Sequence, residues 1–238
     1  MNVKRYVVIF MILAWAAVQA LADTPKPAGT IDELVGQAEA RSGQDAPRKL
    51  AKGAPVFARD VISTPTDKDK ARVAFADGSA LEIGPQSMVA LKDFAFDEAN
   101  KDNSRQNIAM GKGVFRFITG KVVAQNPDNL KIESPLSVIG IRGTTTDHWI
   151  KVKPSAPGEV EAELHALRES KTRSEVIVEA EGQKMVLNKP DQVAWVRPNL
   201  PGAVRSLTDD EKQTFGRTPV TRAPFDPPAR SSFIGGAN

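Results

Sequence analysis

Few side chains in this sequence could carry acid–base, nucleophilic or metal chemistry: it contains two histidines, His148 and His165, and no cysteine. Asp147-His148 sets a carboxylate beside an imidazole, the residue types that general acid–base catalysis uses. In a strand, however, successive side chains leave on opposite faces, and the two cannot then act as a dyad. A transition-metal site would need carboxylates to complete its ligands, and neither an H-E-x-x-H run nor paired-cysteine spacing occurs. Gly111-Lys112-Gly113 and Gly120-Lys121 lack the Walker spacing and a following helix, so no phosphate cradle is expected there. A G-x-S-x-G nucleophile elbow is absent too, and no two of the many acidic residues stand out as an acid and base pair. The expectation is a protein that is not an enzyme and uses no cofactor or metal. Having no cysteine, the chain can form no disulfide, thiolate nucleophile or lipid-bearing N-terminal cysteine.

The charged residue that carries most information is Arg142, inside the run LKIESPLSVIGIRGTTTDHWI at 130–150. Leu130 and Ile132 alternate with Lys131 and Glu133, which reads as a half-buried strand. Ser134-Pro135 interrupts it, because proline donates no ladder hydrogen bond and holds its predecessor extended. The chain resumes at 136–141, where Val138, Ile139 and Ile141 put apolar groups on both faces, so this strand is expected to be buried on both sides. Gly140 and Gly143 bracket Arg142, and glycines in a strand mark close backbone approach or a bulge. The expected picture is a crowded core crossing with one charge threaded through it. An unpaired buried guanidinium is costly, which leaves two readings. Arg142 is either a structural arginine tied to carbonyls or to Asp147 or Glu133, or a recognition arginine on an exposed edge. Gly140, Arg142, Gly143 and Thr144 are therefore the candidate recognition or structural positions, and Thr144, Thr145 and Thr146 fit either reading. Phe115, Phe117, Trp149 and Trp195 read as core, whereas an exposed pair among them would mark a binding surface.

The elements that must position these residues are short strands with frequent turn signals. Val56-Phe57 and Val61-Ile62 are separated by Gly53, Pro55, Asp60 and Pro65. The stretch 71–76, then Asp77-Gly78, then 79–83 reads as a hairpin with a type I′ turn, and 88–96 as another strand. The polar stretch 97–105 is an expected loop, 108–123 returns to the strand pattern, 159–172 fits a helix or a strand, and 174–196 closes the β region. Thr30-Ile31-Asp32-Glu33 has the form of a capping box, read as at most one helical turn before a strand. Thr208-Asp209-Asp210-Glu211 has the same form and reads as the start of a short helix. The expected fold class is all-β, a short β-solenoid-like or two-sheet β domain with minor helical segments. Its expected divisions are a signal peptide at 1–22, a leader at 23–34, the β domain at 35–200, a helix at 207–215 and a disordered proline- and glycine-rich tail at 216–238.

The first residues read as an address. Lys4 and Arg5 precede an apolar run at 7–18, and Ala20-Leu21-Ala22 offers a small-x-small cleavage site, with cleavage between Ala22 and Asp23. That run is shorter than the roughly 20 residues a bilayer span needs, so no stable membrane insertion is expected after cleavage and the mature protein is expected to be periplasmic or secreted. An uncleaved signal would instead give a membrane-tethered sensor. The formal charge of +3 falls once Lys4 and Arg5 leave with the signal, and a near-neutral chain without a clustered basic face argues against nucleic acid as a partner.

The run S-P-L-S-V-I-G-I-R-G-T-T-T resembles the closing signature of the FecR domain family. More of the family's pattern stands upstream in the family's order: Lys52-Gly53-Ala54-Pro55-Val56 with Asp60-Val61-Ile62-Ser63-Thr64, then Asp77-Gly78-Ser79, then Gly111-Lys112-Gly113-Val114-Phe115-Arg116-Phe117-Ile118-Thr119-Gly120. The resemblance extends over roughly 36–150. It implies an extracytoplasmic β domain that passes signals between envelope proteins; in well-known members a membrane helix and a cytoplasmic segment that controls a sigma factor come before it. Here the expected signal peptide stands in that place. The expectation is a free-standing exported domain that binds, most readily another envelope protein in signalling or assembly, with a structural or glycan-contacting envelope component as the alternative.

Overall fold

The computed structural model describes residues 25–169 and 174–218. The expected signal peptide, the start of the expected leader and the expected tail from 219 onward lie outside the described residues. In chain order the strands are β1 (Gly29–Val35), β2 (Glu39–Ser42), β3 (Arg48–Lys49), β4 (Pro55–Val56), β5 (Asp60–Thr64), β6 (Lys70–Phe75), β7 (Ala80–Ile83), β8 (Ser87–Ala95) and β9 (Arg105–Ile118). They continue as β10 (Leu130–Glu133), β11 (Val138–Arg142), β12 (Thr145–Val152), β13 (Val160–Glu169), β14 (Glu175–Ala180), β15 (Gln183–Leu187), β16 (Gln192–Arg197) and β17 (Leu200–Ser206). Helix α1 (Lys121–Gln125) follows β9, and α2 (Asp209–Gly216) closes the described chain.

Pairing sorts the strands into two layers. The front sheet runs β4-β1-β6-β7-β9-β12-β13-β16-β17 and is antiparallel throughout. The back sheet runs β3-β2-β5-β8-β9-β10-β11-β14-β15, with one parallel link between β9 and β10. Strand β9 belongs to both: its first half lies between β8 and β10, its second half between β7 and β12. The change of layer falls where the β8 ladder slips, with Val89 opposite Met110 and Met88 opposite Lys112, so that Gly111 is the extra residue of a bulge. Gly113 follows at φ +105°, and a Cβ there would lie 2.0 Å from the Ser87 hydroxyl oxygen. Only glycine permits that bend.

One apolar core fills the space between the layers. Phe115, Phe117, Leu81, Ile83, Val73 and Ile31 enter it from the front, and Ile62, Leu91, Ile108, Ile132, Ile139, Val176 and Val178 from the back. The all-β expectation holds, in its two-sheet form, open at the sheet edges rather than closed into a barrel.

Several local expectations change. Thr30 to Glu33 make no helical turn: β1 starts at Gly29, whose missing Cβ would sit 2.3 Å from the Ala74 carbonyl oxygen, and the chain pairs with β4 and β6 instead. Ladder hydrogen bonds override the capping sequence there. The hairpin at Asp77-Gly78 forms, but only Gly78 has positive φ, and Gly78 N–H donates to the Phe75 carbonyl while Phe75 N–H donates to that of Ser79. This is a three-residue loop with a glycine bulge, not a type I′ turn. Strand β11 is buried on one side only. Ile139 and Ile141 face the core, whereas Val138 is 39% exposed, because none of the described residues covers the outer face of the back sheet at that point. Within the stretch left open at 159–172, Val160–Glu169 form strand β13, and 170–172 lie outside the described residues. Gly120 is followed by α1, which the sequence reading did not expect.

Candidate functional site

The signature positions mark the place where the chain changes layer a second time, from β11 in the back sheet to β12 in the front sheet. Gly143 makes the turn at φ +61°. Its carbonyl accepts from the Ser174 hydroxyl at 2.9 Å. The Thr144 carbonyl accepts from Thr119 N–H at 3.3 Å and from the Thr119 hydroxyl at 3.1 Å, and the Thr144 hydroxyl donates to the Glu169 carbonyl. These bonds tie the crossing to the ends of β9 and β13. Gly140 has open space where a Cβ would stand, so the expected crowding is absent. Arg142 ends β11 with its side chain half-exposed, and its guanidinium lies 3.3 Å from Glu175, the residue opposite it on β14. Neither Asp147 nor Glu133 is its partner. Asp147 is turned to the front face, and Glu133 binds Lys92 and Lys131.

A second motif meets its partner across the fold. The buried Asp77 carboxylate accepts from Ser79 N–H at 3.0 Å and from Val122 N–H at 3.1 Å, and its carbonyl accepts from Lys121 N–H at 3.0 Å. The first two N-terminal donors of α1 are therefore already occupied, Lys121 N–H by the Asp77 carbonyl and Val122 N–H by its carboxylate. A Cβ on Gly120 would fall 2.4 Å from Ser79 N and 2.6 Å from the Asp77 carboxylate, so D-G-S and the later glycine are two halves of one joint.

Asp147 and His148 do leave β12 on opposite faces. On the inner face His148 stands directly opposite His165 on β13, their Nδ1 atoms 3.0 Å apart. The Thr146 hydroxyl lies 2.8 Å from His148 Nε2, and His165 Nε2 lies 3.2 Å from the Glu163 carboxylate. That carboxylate also accepts from the Ser134 hydroxyl at 2.7 Å, the Ser137 hydroxyl at 2.8 Å and Leu136 N–H at 2.9 Å. With neutral rings, one ordering of protons satisfies every atom: Thr146 donates to His148, His148 to His165, and His165 to Glu163. Burial, with His165 alongside, holds the His148 imidazole well below its ordinary value of 6.5. Burial alone would raise Glu163, but hydrogen bonds from His165, Ser134 and Ser137 outweigh it and hold the carboxyl below its usual range. The network pins the Ser134–Ser137 turn of the back sheet to the front sheet. Among the described residues no group of three or more acidic, histidine or cysteine side chains is placed to hold a metal ion.

The outer face of the front sheet carries charges instead. Register sets Arg72 opposite Glu82, Glu82 opposite Arg116 and Arg116 opposite Asp147. Asp147 accepts from Arg116 Nε at 2.7 Å and from Arg168 at 3.0 Å, while Asp32 pairs with Arg72 at the other end. Arg116 also donates to the Phe215 carbonyl at 3.0 Å, so the end of α2 lies over the row. Burial pushes the Glu82 carboxyl up, against the pull of Arg116 and Arg72. Such pairs add little net stability, but a one-residue slip of any of these strands would turn its charge into the apolar core, so the row fixes register.

Farther along the same face stand Trp149 and Trp195. Phe115 and Phe117 are core as expected, but both tryptophans are only partly buried and lie beside α2. Sequence reasoning placed them in the core and passed over Arg116, Glu163 and Arg197. Trp149 shares parity with Asp147, which was the available sign that it faces outward.

Residues 60–166 match the family model described as FecR protein. No curated protein matches the chain significantly. Two crystal structures of a candidate anti-sigma factor from Parabacteroides distasonis are similar to it at 13% identity and a TM-score of 0.44, over 61% of this chain and 59% of that one. The chain thus spans less than two thirds of that protein's length.

Proposed function

We propose, on the match of residues 60–166 to the FecR family model, that this protein is a non-catalytic binding or adaptor domain, exported to the periplasm or the cell exterior, that engages another envelope protein in signalling or assembly. The family match is the observation that carries this reading. It spans the Asp77 joint, which ties the β6–β7 hairpin to α1, and the Arg142-Gly143-Thr144 crossing from the back layer to the front one. Export is supported by the basic, apolar, small-x-small order of residues 4–22. No described helix is long and apolar enough to cross a membrane.

The test is affinity capture of the tagged full chain after mild crosslinking in intact cells, with Arg142→Ala run beside it. The proposal expects one or two envelope proteins enriched over control. Arg142 is half-exposed and ion-paired only to Glu175, so its removal should change stability by no more than about 0.5 kcal/mol. Loss of capture in a folded Arg142→Ala protein would put Arg142 on the binding surface, and retained capture would leave it a surface ion pair. A folded, exported bait that captures nothing specific overturns the adaptor reading.

A further inference from the structure

Leu164 is paired with Trp149 on one side and with Trp195 on the other, so three adjacent strands place an indole, a leucine and an indole in one row across the outer face of the front sheet. Strand spacing sets the two indoles roughly 10 Å apart. Helix α2 stands along this row, and Thr208, Asp210 and Glu211 at its start form the far wall of a groove of about 400 Å³. Each indole carries cations on its face. Lys151 Nζ lies 4.9 Å from the ring centre of Trp149, and the guanidinium groups of Arg197 and Arg205 lie 3.9 and 5.0 Å from that of Trp195.

The three cations differ in what neutralises them. Lys151 pairs with Glu161 at 3.2 Å. Arg205 is held by both oxygens of Glu211, at 2.8 and 2.6 Å. The Arg197 guanidinium has no hydrogen bond or ion pair among the described residues, and its Nε is buried without an acceptor. A bulge in the β16–β17 ladder between Trp195 and Arg197 sets this arginine's position, a device that commonly re-aims a side chain next to a binding site. A guanidinium held flat on an indole keeps its planar donor edge free and loses little further entropy when a carboxylate arrives.

We propose that this groove binds an acidic segment of a protein partner, with one carboxylate on Arg197 and a neighbouring apolar side chain against the Trp149–Leu164–Trp195 floor. This rests on the adaptor reading and names the chemistry of its contact. The charge pattern selects the occupant. One uncompensated guanidinium faces the groove while Asp210, Glu211 and Glu161 line it, so a single carboxylate is favoured and a polyanion is repelled. The cations already cover indole faces on which a sugar ring would stack, which favours a peptide over a glycan.

The test titrates the intrinsic tryptophan emission of the purified full chain with blocked pentapeptides that contain one central glutamate between apolar residues and no tryptophan. The same panel with glutamine, and soluble chito-oligosaccharides, are run in parallel. The expected result is saturable binding of glutamate peptides that weakens about tenfold with glutamine or in Arg197→Ala, and declines as salt rises. Arg197→Lys should bind with intermediate strength, and both variants should keep the parental unfolding midpoint. No saturation across the glutamate panel, equal binding of the glutamine panel, undiminished binding by Arg197→Ala, or preference for the oligosaccharides overturns the proposal. If Arg197→Ala still captures the same partner in cells, the adaptor reading stands and the groove assignment falls.

Discussion

Strands β12 and β13 show two kinds of polar chemistry on their two faces, divided by the plane of one sheet. Inward, Thr146, His148, His165 and Glu163 form a closed chain in which each donor has an acceptor. Outward and a residue or two away, Trp149 and the neighbouring Trp195 sit in a groove beside an arginine whose Nε has no acceptor. Closed networks specify how layers dock, whereas a guanidinium without an acidic partner among the described residues, stacked on an aromatic face, is where a carboxylate is proposed to bind. The residues that first suggest catalysis therefore hold the fold, and the two tryptophans that first suggest core line the groove proposed to bind a partner.

The largest effect expected from breaking this division is on the inner face. Glu163→Ala should cost about 3–5 kcal/mol, because it leaves Ser134, Ser137, Leu136 N–H and His165 without their buried acceptor and opens a void. Denaturant unfolding measures this. Glu163→Gln, which keeps an acceptor but turns an amide group toward donors, should fall between it and the parent. Next comes pH. His148 is held neutral, with its folded value below 6.5, so the unfolded chain binds the extra proton as pH falls past about 6.5. Stability is then full above that point and declines toward acid, by at most about 1.4 kcal/mol per pH unit for this one group. Glu163, also lowered, adds loss of the same sign below its usual range. Glu82, raised by burial, contributes a smaller opposite trend. Unfolding midpoints from pH 8 to 4 should slope downward toward acid, and His148→Gln should flatten the upper part of that slope.

Much of this division was legible wherever the signal was local. Period-two alternation alone put Asp147 and His148 on opposite faces, and Asp-Gly placed the β6–β7 hairpin. The turn type escaped because the Asp77 carboxylate is committed to Ser79 and to Val122 of α1, a contact between segments far apart in sequence. Arg142's partner escaped for a similar reason: Glu175 becomes its neighbour only once β14 pairs with β11. Val138 was misread because apolar residues on both parities suggest two covered faces, and sequence does not reveal that no described residue covers the outer side of the back sheet there. The ligands of Glu163 come from two layers whose docking no local pattern records.

The most direct test of the division is site-specific photocrosslinking in intact cells, with a photoreactive residue at Lys151 beside the groove or at Val138 or Val186 on the exposed outer face of the back sheet. A partner crosslinked from position 151 and absent from 138 and 186 is the predicted result. A partner crosslinked from 138 or 186, with 151 silent in a folded protein, would contradict the assignment of binding to the outer face of the front sheet.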